Sequence, residues 1–194
     1  MYREMVFEDI LKEISSSNMS VDGGTVAALV GALAASLGSK IANYTVTSGV
    51  SENYEVTLES VLENLLEIKE KLLDYSDKSF HYIAKFHSDE EEGEKKIQEI
   101  KRAAIVSFNI AKLNYNILKN CFTLHKFGDP ALRPETKITC YLAWAALNSA
   151  ITLVHANLEQ IENGEEKANL LQDTIEFSNE ANALIKKLKE EVHI

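Results

Sequence analysis

Gly24-Thr25-Val26-Ala27-Ala28-Leu29-Val30-Gly31-Ala32-Leu33-Ala34-Ala35-Ser36-Leu37-Gly38-Ser39-Lys40-Ile41-Ala42-Asn43-Tyr44 decides the fold. Lys40 is its only charge, and no proline interrupts it. Gly24, Ala28, Ala32 and Ser36 recur at a spacing of four, as do Ala27, Gly31, Ala35 and Ser39. At that spacing each set forms one ridge of a helix. Ridges this low let neighbouring backbones come close. A helix apolar on all sides belongs in a core. The stretch therefore predicts a central helix, with other helices packed against its small side chains.

The rest of the chain suits that centre. It has 194 residues, enough for one domain spanning 1–194 with a sizeable core. Prolines number 2 and glycines 8, so little breaks long helices. The first helix reads from Val6 to Ser15, striped by Val6, Phe7, Ile10, Leu11 and Ile14, before a polar loop from Ser16 to Asp22. The third runs from Asn53 to Phe86, with Leu58, Val61, Leu65, Ile68, Leu72 and Tyr75 as a coiled-coil-like seam. Ser88-Asp89-Glu90-Glu91 has the form of a capping box and opens the fourth. That helix carries Ile97, Ile100, Ala104, Ala111, Leu118 and Cys121 on one side.

Gly128-Asp129-Pro130 breaks the chain, and Pro134 starts the fifth helix. It holds no charge from Ile138 to Leu158, and has small residues at Thr139, Ala143, Ala146 and Ala150. It is read as a core helix paired with the second, ended by Asn163-Gly164. A membrane span is the poorer reading, because Asn148, His155 and Asn157 are costly in lipid and no basic flank marks an inner end. The sixth helix has its seam at Leu170, Thr174, Phe177, Ala181, Leu184 and Leu188. The fold class is all-α, an up-and-down bundle of about six helices. Two helices this apolar exceed what one slim monomer buries, so a homodimer is expected.

Charge and composition exclude several functions. A net charge of -10 repels a phosphate backbone, so no nucleic-acid partner is expected. Cys121 and Cys140 stand outside any CxxC, and His81 and His155 match no metal spacing, so no metal is expected. Met1-Tyr2-Arg3-Glu4 lacks the shape of a signal peptide, which makes the cytoplasm the default.

The chemistry-bearing candidates each have a plainer reading. Asp22-Gly23-Gly24-Thr25 precedes the second helix, where free N–H groups attract anions, yet Asp22 or Thr25 also serves as an N-cap. Asp74 falls opposite the Leu58–Leu65–Leu72 stripe and reads as solvated. Glu135 suits the dipole of its helix start. Asn157 is a site amide or a structural one. Lys95, Lys96, Lys101 and Arg102 form a basic cluster.

Val21-Asp22-Gly23-Gly24-Thr25-Val26-Ala27-Ala28-Leu29-Val30-Gly31-Ala32-Leu33 resembles the Pro-Gly-Gly-Gly-Ser-Val-Ala-Ala-Leu-x-Gly-Ala-Leu segment of the formiminotransferase-cyclodeaminase C-terminal family. Asn43-Tyr44-Thr45-Val46 is similar to its Asn-Leu-Thr-Val. The family's Leu-x-Asp-x-Asp-x-x-Ala-Phe is similar to the run from Leu72 to Phe80, with Asp74 keeping the first acid and Ser76 replacing the second. The family's lysine run after Val46 is absent here, and the basic cluster on the fourth helix is its best substitute.

The resemblance implies a folate one-carbon enzyme. It converts 5-formiminotetrahydrofolate to 5,10-methenyltetrahydrofolate and ammonia, or hydrolyses the methenyl compound, with a tetrahydrofolate derivative as substrate and no cofactor. It implies Asp74 as proton carrier. It implies Gly23, Gly24, Thr25, Asn43, Glu135 and Asn157 as substrate-binding residues. The lost lysines, Asp22 in the loop and the missing second acid support the alternative: a degenerate homologue acting as a folate-binding or scaffold dimer.

Overall fold

Missing side chains set the spacing at the centre. A Cβ on Gly31 would lie 2.5 Å from Asn114 Oδ1; one on Gly38 would lie 3.0 Å from Leu65 Cδ1 and 3.5 Å from Thr139 Cγ2. One helix thus touches three others where its own side chains stop. The computed structural model describes residues 4–17, 21–49, 52–86 and 94–193, with the backbone alone for 52 and 78–86. These form α1 (Phe7–Ser15), α2 (Gly23–Ser48), α3 (Glu55–Phe86), α4 (Glu94–Phe127), α5 (Arg133–Glu159) and α6 (Glu165–Glu191), with 3-10 turns at Glu52–Tyr54 and Pro130–Leu132. No strand occurs among the described residues.

The central helix is α2. Thr25 meets Ser76 at one end and Gly38 meets Leu65 further along, so α3 runs antiparallel to it. Gly23 faces Leu153 and Gly38 faces Thr139, so α5 is antiparallel as well. The seam of α3 is buried at Leu58, Val61, Leu65, Ile68 and Leu72. Each such leucine contributes about 1.5–3 kcal/mol by leaving water. The small positions of α5, Thr139, Ala143, Ala146 and Ala150, are all buried. Cys121 and Cys140 meet thiol to thiol between α4 and α5. The hydrogen bond between them, then burial, pushes the Cys121 thiol well above its ordinary value, so the pair stays protonated packing. A second cluster (Ile100, Ala104, Phe108, Val154, Leu158, Ile161) joins α4 and α5 to Leu170 and Phe177 of α6. Phe108 and Phe177 close it edge to face, with ring centroids 5.4 Å apart.

Several boundaries differ from the sequence reading. α5 ends at Glu159 rather than at Asn163-Gly164. Ile161 folds back into the second cluster, 6% exposed, and its carbonyl accepts from Lys167 Nζ at 2.7 Å. Burial of that side chain, with its carbonyl capped, stops the helix a turn early. Gly164 is instead the extended N-cap of α6. The stripe of α1 buries only Ile10; Val6, Phe7, Leu11 and Ile14 are exposed. The expected capping box at 88–91 lies outside the described residues.

The core reading of the two apolar helices holds on one side of each. Both are long and apolar enough to cross a membrane, and 61% of that window is buried in α2 but only 39% in the stretch holding α5. Leu33 and Tyr44 of α2 and Ile138 and Tyr141 of α5 are half exposed. Four neighbouring helices cannot cover the whole circumference of both.

Candidate functional site

The expected site residues fall at two ends of the bundle. Gly23, Gly24, Thr25, Asp74 and Asn157 lie at one. Asn43 and Glu135 lie at the other, since Gly38 sits opposite Thr139 and one further turn pairs Ala42 with Glu135. Along α2 the ends are about 30 Å apart, at about 1.5 Å per residue.

At the first end Asp22 is the N-cap of α2, its Oδ1 accepting the Thr25 N–H at 2.7 Å. The chain's own carboxylate therefore takes a donor that an incoming anion would use. Thr25 is wholly buried, and its hydroxyl donates to the Ser76 carbonyl at 3.3 Å, tying α2 to α3. Gly24 is buried and Gly23 exposed.

Gly23, Val26, Ala27 and Val30 of α2 and Ala145, Ala146, Ser149 and Leu153 of α5 line a groove of about 310 Å³. Its walls are apolar, and the Ser149 hydroxyl donates back to the Ala145 carbonyl. No acid lines it. Asn157, half-buried, stands one turn beyond Leu153 on the same helix face. Sequence reading missed this groove. Its signal was the spacing of four in Ala145, Ser149 and Leu153, outside the inward ridge of α5.

The acids of α3 divide by helix face. Asp74 is exposed, about 180° from the buried Leu65, as its spacing from the seam requires. Ser76 is wholly buried and its hydroxyl donates to the Leu73 carbonyl. Asp77 is 8% exposed, so it is the buried carboxylate at the α2 start. The seam pattern gave no sign of this burial.

Glu135 is half-buried in the first turn of α5, and its carbonyl accepts from the Thr139 hydroxyl. Asn43 is exposed. The basic cluster of α4 is partly spent on ion pairs. Lys101 pairs with Glu166, and its hydrogen bond and charge hold that carboxyl below its ordinary value. Arg102 pairs with Glu99 at 2.5 Å. Lys101 and Glu166 also rim a separate groove of about 410 Å³ floored by Ile105, Leu158, Ile161 and Leu170.

Comparison with curated proteins gives no match. The structure is similar to the crystal structure of formiminotetrahydrofolate cyclodeaminase from Thermotoga maritima. The TM-score is 0.93 at 21% identity, covering 100% of this chain and 98% of that one. At that identity the likeness fixes the fold. Residues 6–176 match the formiminotransferase-cyclodeaminase family along most of the chain. With the small-residue ridge of α2 and its antiparallel partners α3 and α5 in place, the chain belongs to the formiminotransferase-cyclodeaminase family.

Proposed function

We propose that the protein acts on a folate one-carbon unit as a cyclodeaminase, or as a methenyltetrahydrofolate cyclohydrolase. The family match over residues 6–176 carries this reading. In the first reaction N10 attacks the formimino carbon and a tetrahedral adduct forms. N10 loses its proton, the departing nitrogen gains one, and the carbon–nitrogen bond breaks to release ammonia. In the second, water adds to the methenyl carbon and the ring opens. Neither sequence of steps calls on a metal or a second cofactor. A carboxylate suits the proton transfers. Asp74 is the proposed carrier. Gly23, Gly24, Asn43, Glu135 and Asn157 line the substrate site, and Thr25 holds α2 to α3 beside it.

The site is completed by a second copy of the chain. The outer faces of α2 and α5 carry Leu33, Tyr44, Ile138 and Tyr141, half exposed, and Leu33 and Tyr141 stand one turn from Val30 and Ala145 of the Gly23–Leu153 groove. Phe7 and Leu33 line a further apolar hollow of about 160 Å³ under α1. Apolar surface of this extent favours an interface. A two-fold axis across the helices places the Gly23 end of one protomer beside the Asn43–Glu135 end of its partner. An antiparallel pair thereby supplies acids to a groove that has none. A soluble cytoplasmic homodimer fits this arrangement, since it covers the apolar faces with protein.

Asp77 supports a second assignment of the proton carrier, because it is the buried carboxylate of α3 at the α2 start. Near-ultraviolet absorbance of methenyltetrahydrofolate tests the proposal directly. Purified protein is expected to speed its formation from 5-formiminotetrahydrofolate with ammonia release, or its loss by hydrolysis. A thermal shift with folate but no turnover selects the degenerate folate-binding dimer. Neither turnover nor shift at saturating folate overturns the folate reading.

A further inference from the structure

The chain holds 2 cysteines, and the fold sets them face to face in its core. Cys121 lies in α4 and Cys140 in α5. A short turn, Pro130–Leu132, joins the two helices. In an antiparallel helix pair joined that way, residues about equally far from the turn become neighbours, and Cys121 and Cys140 are such residues. Packing on α2 fixes the same register independently. A Cβ on Gly38 would lie 3.5 Å from Thr139 Cγ2 and 3.6 Å from Leu124 Cδ1. Thr139 directly precedes Cys140, and Leu124 lies one turn beyond Cys121, so α4 and α5 meet at this level. A hydrogen bond joins the two thiols.

One buried cysteine is ordinary packing, but two in contact are also a dithiol. Both residues are wholly buried, in one cluster with Leu118, Leu124, Ala143 and Leu147. No group of three metal-ligating side chains occurs among the described residues, so the pair falls short of a zinc site, which takes three or four protein ligands. Each thiol has one possible partner within its own chain. A disulfide needs Cβ atoms about 3.5–4.5 Å apart. Ala111, Ala143 and Ala150, all wholly buried, keep the facing backbones close. Thiols already in contact there reach bonding distance with little movement of the helices.

We infer that Cys121 and Cys140 form a reversible redox lock, which hydrogen peroxide closes into a disulfide tying α4 to α5. One sulfur, as its thiolate, attacks the peroxide. The O–O bond breaks, the sulfur becomes a sulfenic acid, and the departing hydroxide takes up the thiol's proton as water. The second thiol then attacks that sulfur, the S–O bond breaks, and a second water leaves. Two thiols thereby lose two electrons and two protons, and one peroxide is reduced to two waters. Burial keeps both thiols protonated at rest, so closure is slow and proceeds through local opening of the α4–α5 crossing. A dithiol reductant reopens the lock by thiol exchange. The lock does not depend on the folate reading.

Mass measurement on the full-length protein tests it. Native protein is treated with hydrogen peroxide, then unfolded, capped with N-ethylmaleimide and weighed intact. The wild type is expected to lose two hydrogens, take up no cap and remain a single chain. Reduction with dithiothreitol before capping should restore two caps. The closed form should melt about 5 °C or more above the reduced form, because the bond restrains the unfolded chain. Cys121→Ser and Cys140→Ser should each stop at a sulfenic acid, which dimedone traps on unfolding. The wild-type masses decide the matter even where a serine in the core prevents folding. Two caps still taken up after peroxide treatment overturn the lock. So does oxygen added to each sulfur without a cross-link, or a bond between chains rather than within one. A closed form that melts below the reduced one overturns it as well, since a lock that fits the native crossing does not strain it.

Discussion

The two ends of the bundle solve the same problem in opposite ways. At the Gly23 end α2 starts against its own Asp22, and Thr25 spends its hydroxyl on Ser76. The nearby groove is open, apolar and without charge. At the Asn43 end α5 starts from Leu132 with no side-chain cap, and Arg133 and Lys137 lack counter-ions among the described residues. One end has an uncharged groove, and the other has cations without counter-ions among the described residues. A glycine pair before a helix is therefore not an anion site in itself. What decides is which group already holds the free N–H donors, and where the cations lie. An antiparallel pair of protomers unites the two properties.

The largest effect comes from breaking the union chemically. Asp74→Asn is expected to lower kcat by about 10²-fold or more, as for loss of a general acid or base. Its melting temperature should hardly move, because Asp74 is exposed. Asp77→Asn, at a buried position, is expected to act mainly on stability. The reverse ranking of the two rates moves the proton carrier to Asp77. Glu135→Gln lies at the opposite end and tests sharing. Mixing inactive Asp74→Asn and Glu135→Gln protomers should recover part of the activity. No recovery in verified mixed dimers confines the site to one chain.

The next effect is on assembly. Tyr141→Glu places a charge on the outer face of α5, where the side chain is 53% exposed in the protomer. Burying that charge at a subunit contact costs about 3–5 kcal/mol, which weakens a dimer by at least a hundredfold. Light scattering should show monomers with helicity intact and activity lost. An unchanged mass distribution removes α5 from the contact.

These expectations rest unequally on sequence and structure. The α2 ridge was legible because the spacing of four in Ala27, Gly31, Ala35 and Ser39 has one helical meaning, and all four are buried. Leu58, Leu65 and Leu72 were legible for the same reason. Periodicity also put Asp74 on the outside. It could not show that α5 has an uncovered side, because an uncharged run is the same string whether its cover is its own chain or a partner. Nor could it show Asp22 folding its carboxylate back onto Thr25, or Asp77 becoming buried. Those outcomes depend on how neighbouring elements close over a position. The end of α5 was misplaced because Asn163-Gly164 gave a strong local signal, which burial of Ile161 overrode.

A smaller effect tests whether the middle of the bundle holds both ends in register. Gly31→Ala would set a methyl 2.5 Å from Asn114 Oδ1. Asn114 is wholly buried and donates to the Ile110 carbonyl at 2.9 Å, so it has little room to yield. Overpacking of this kind costs about 1–3 kcal/mol, partly offset by the better helix propensity of alanine. Asn114→Ala should relieve the clash, so the double variant loses less than the sum of the two single ones. Strict additivity in denaturant unfolding breaks the close crossing of α2 and α4.

The smallest effect separates the two ends by pH. Burial, then the charges of Arg133, His193 and Lys137, hold the His125 pKa below its ordinary 6.5, with Glu191 opposing them. The unfolded chain therefore takes up the proton first as pH falls. Between 6.5 and the lower folded value the unfolded state binds more protons, so stability rises with pH across that window and is lost on acidification. The contribution is fully present above the unfolded pKa. Melting temperature should drift down from pH 7 toward pH 5.5 in the wild type, and the His125→Gln variant should lose that part of the drift. No residue of the groove at the Gly23 end titrates in this range, so a variant confined to that groove, such as Ser149→Ala, should leave the drift intact. A drift unchanged in His125→Gln assigns the acid sensitivity elsewhere and removes the contrast between the ends.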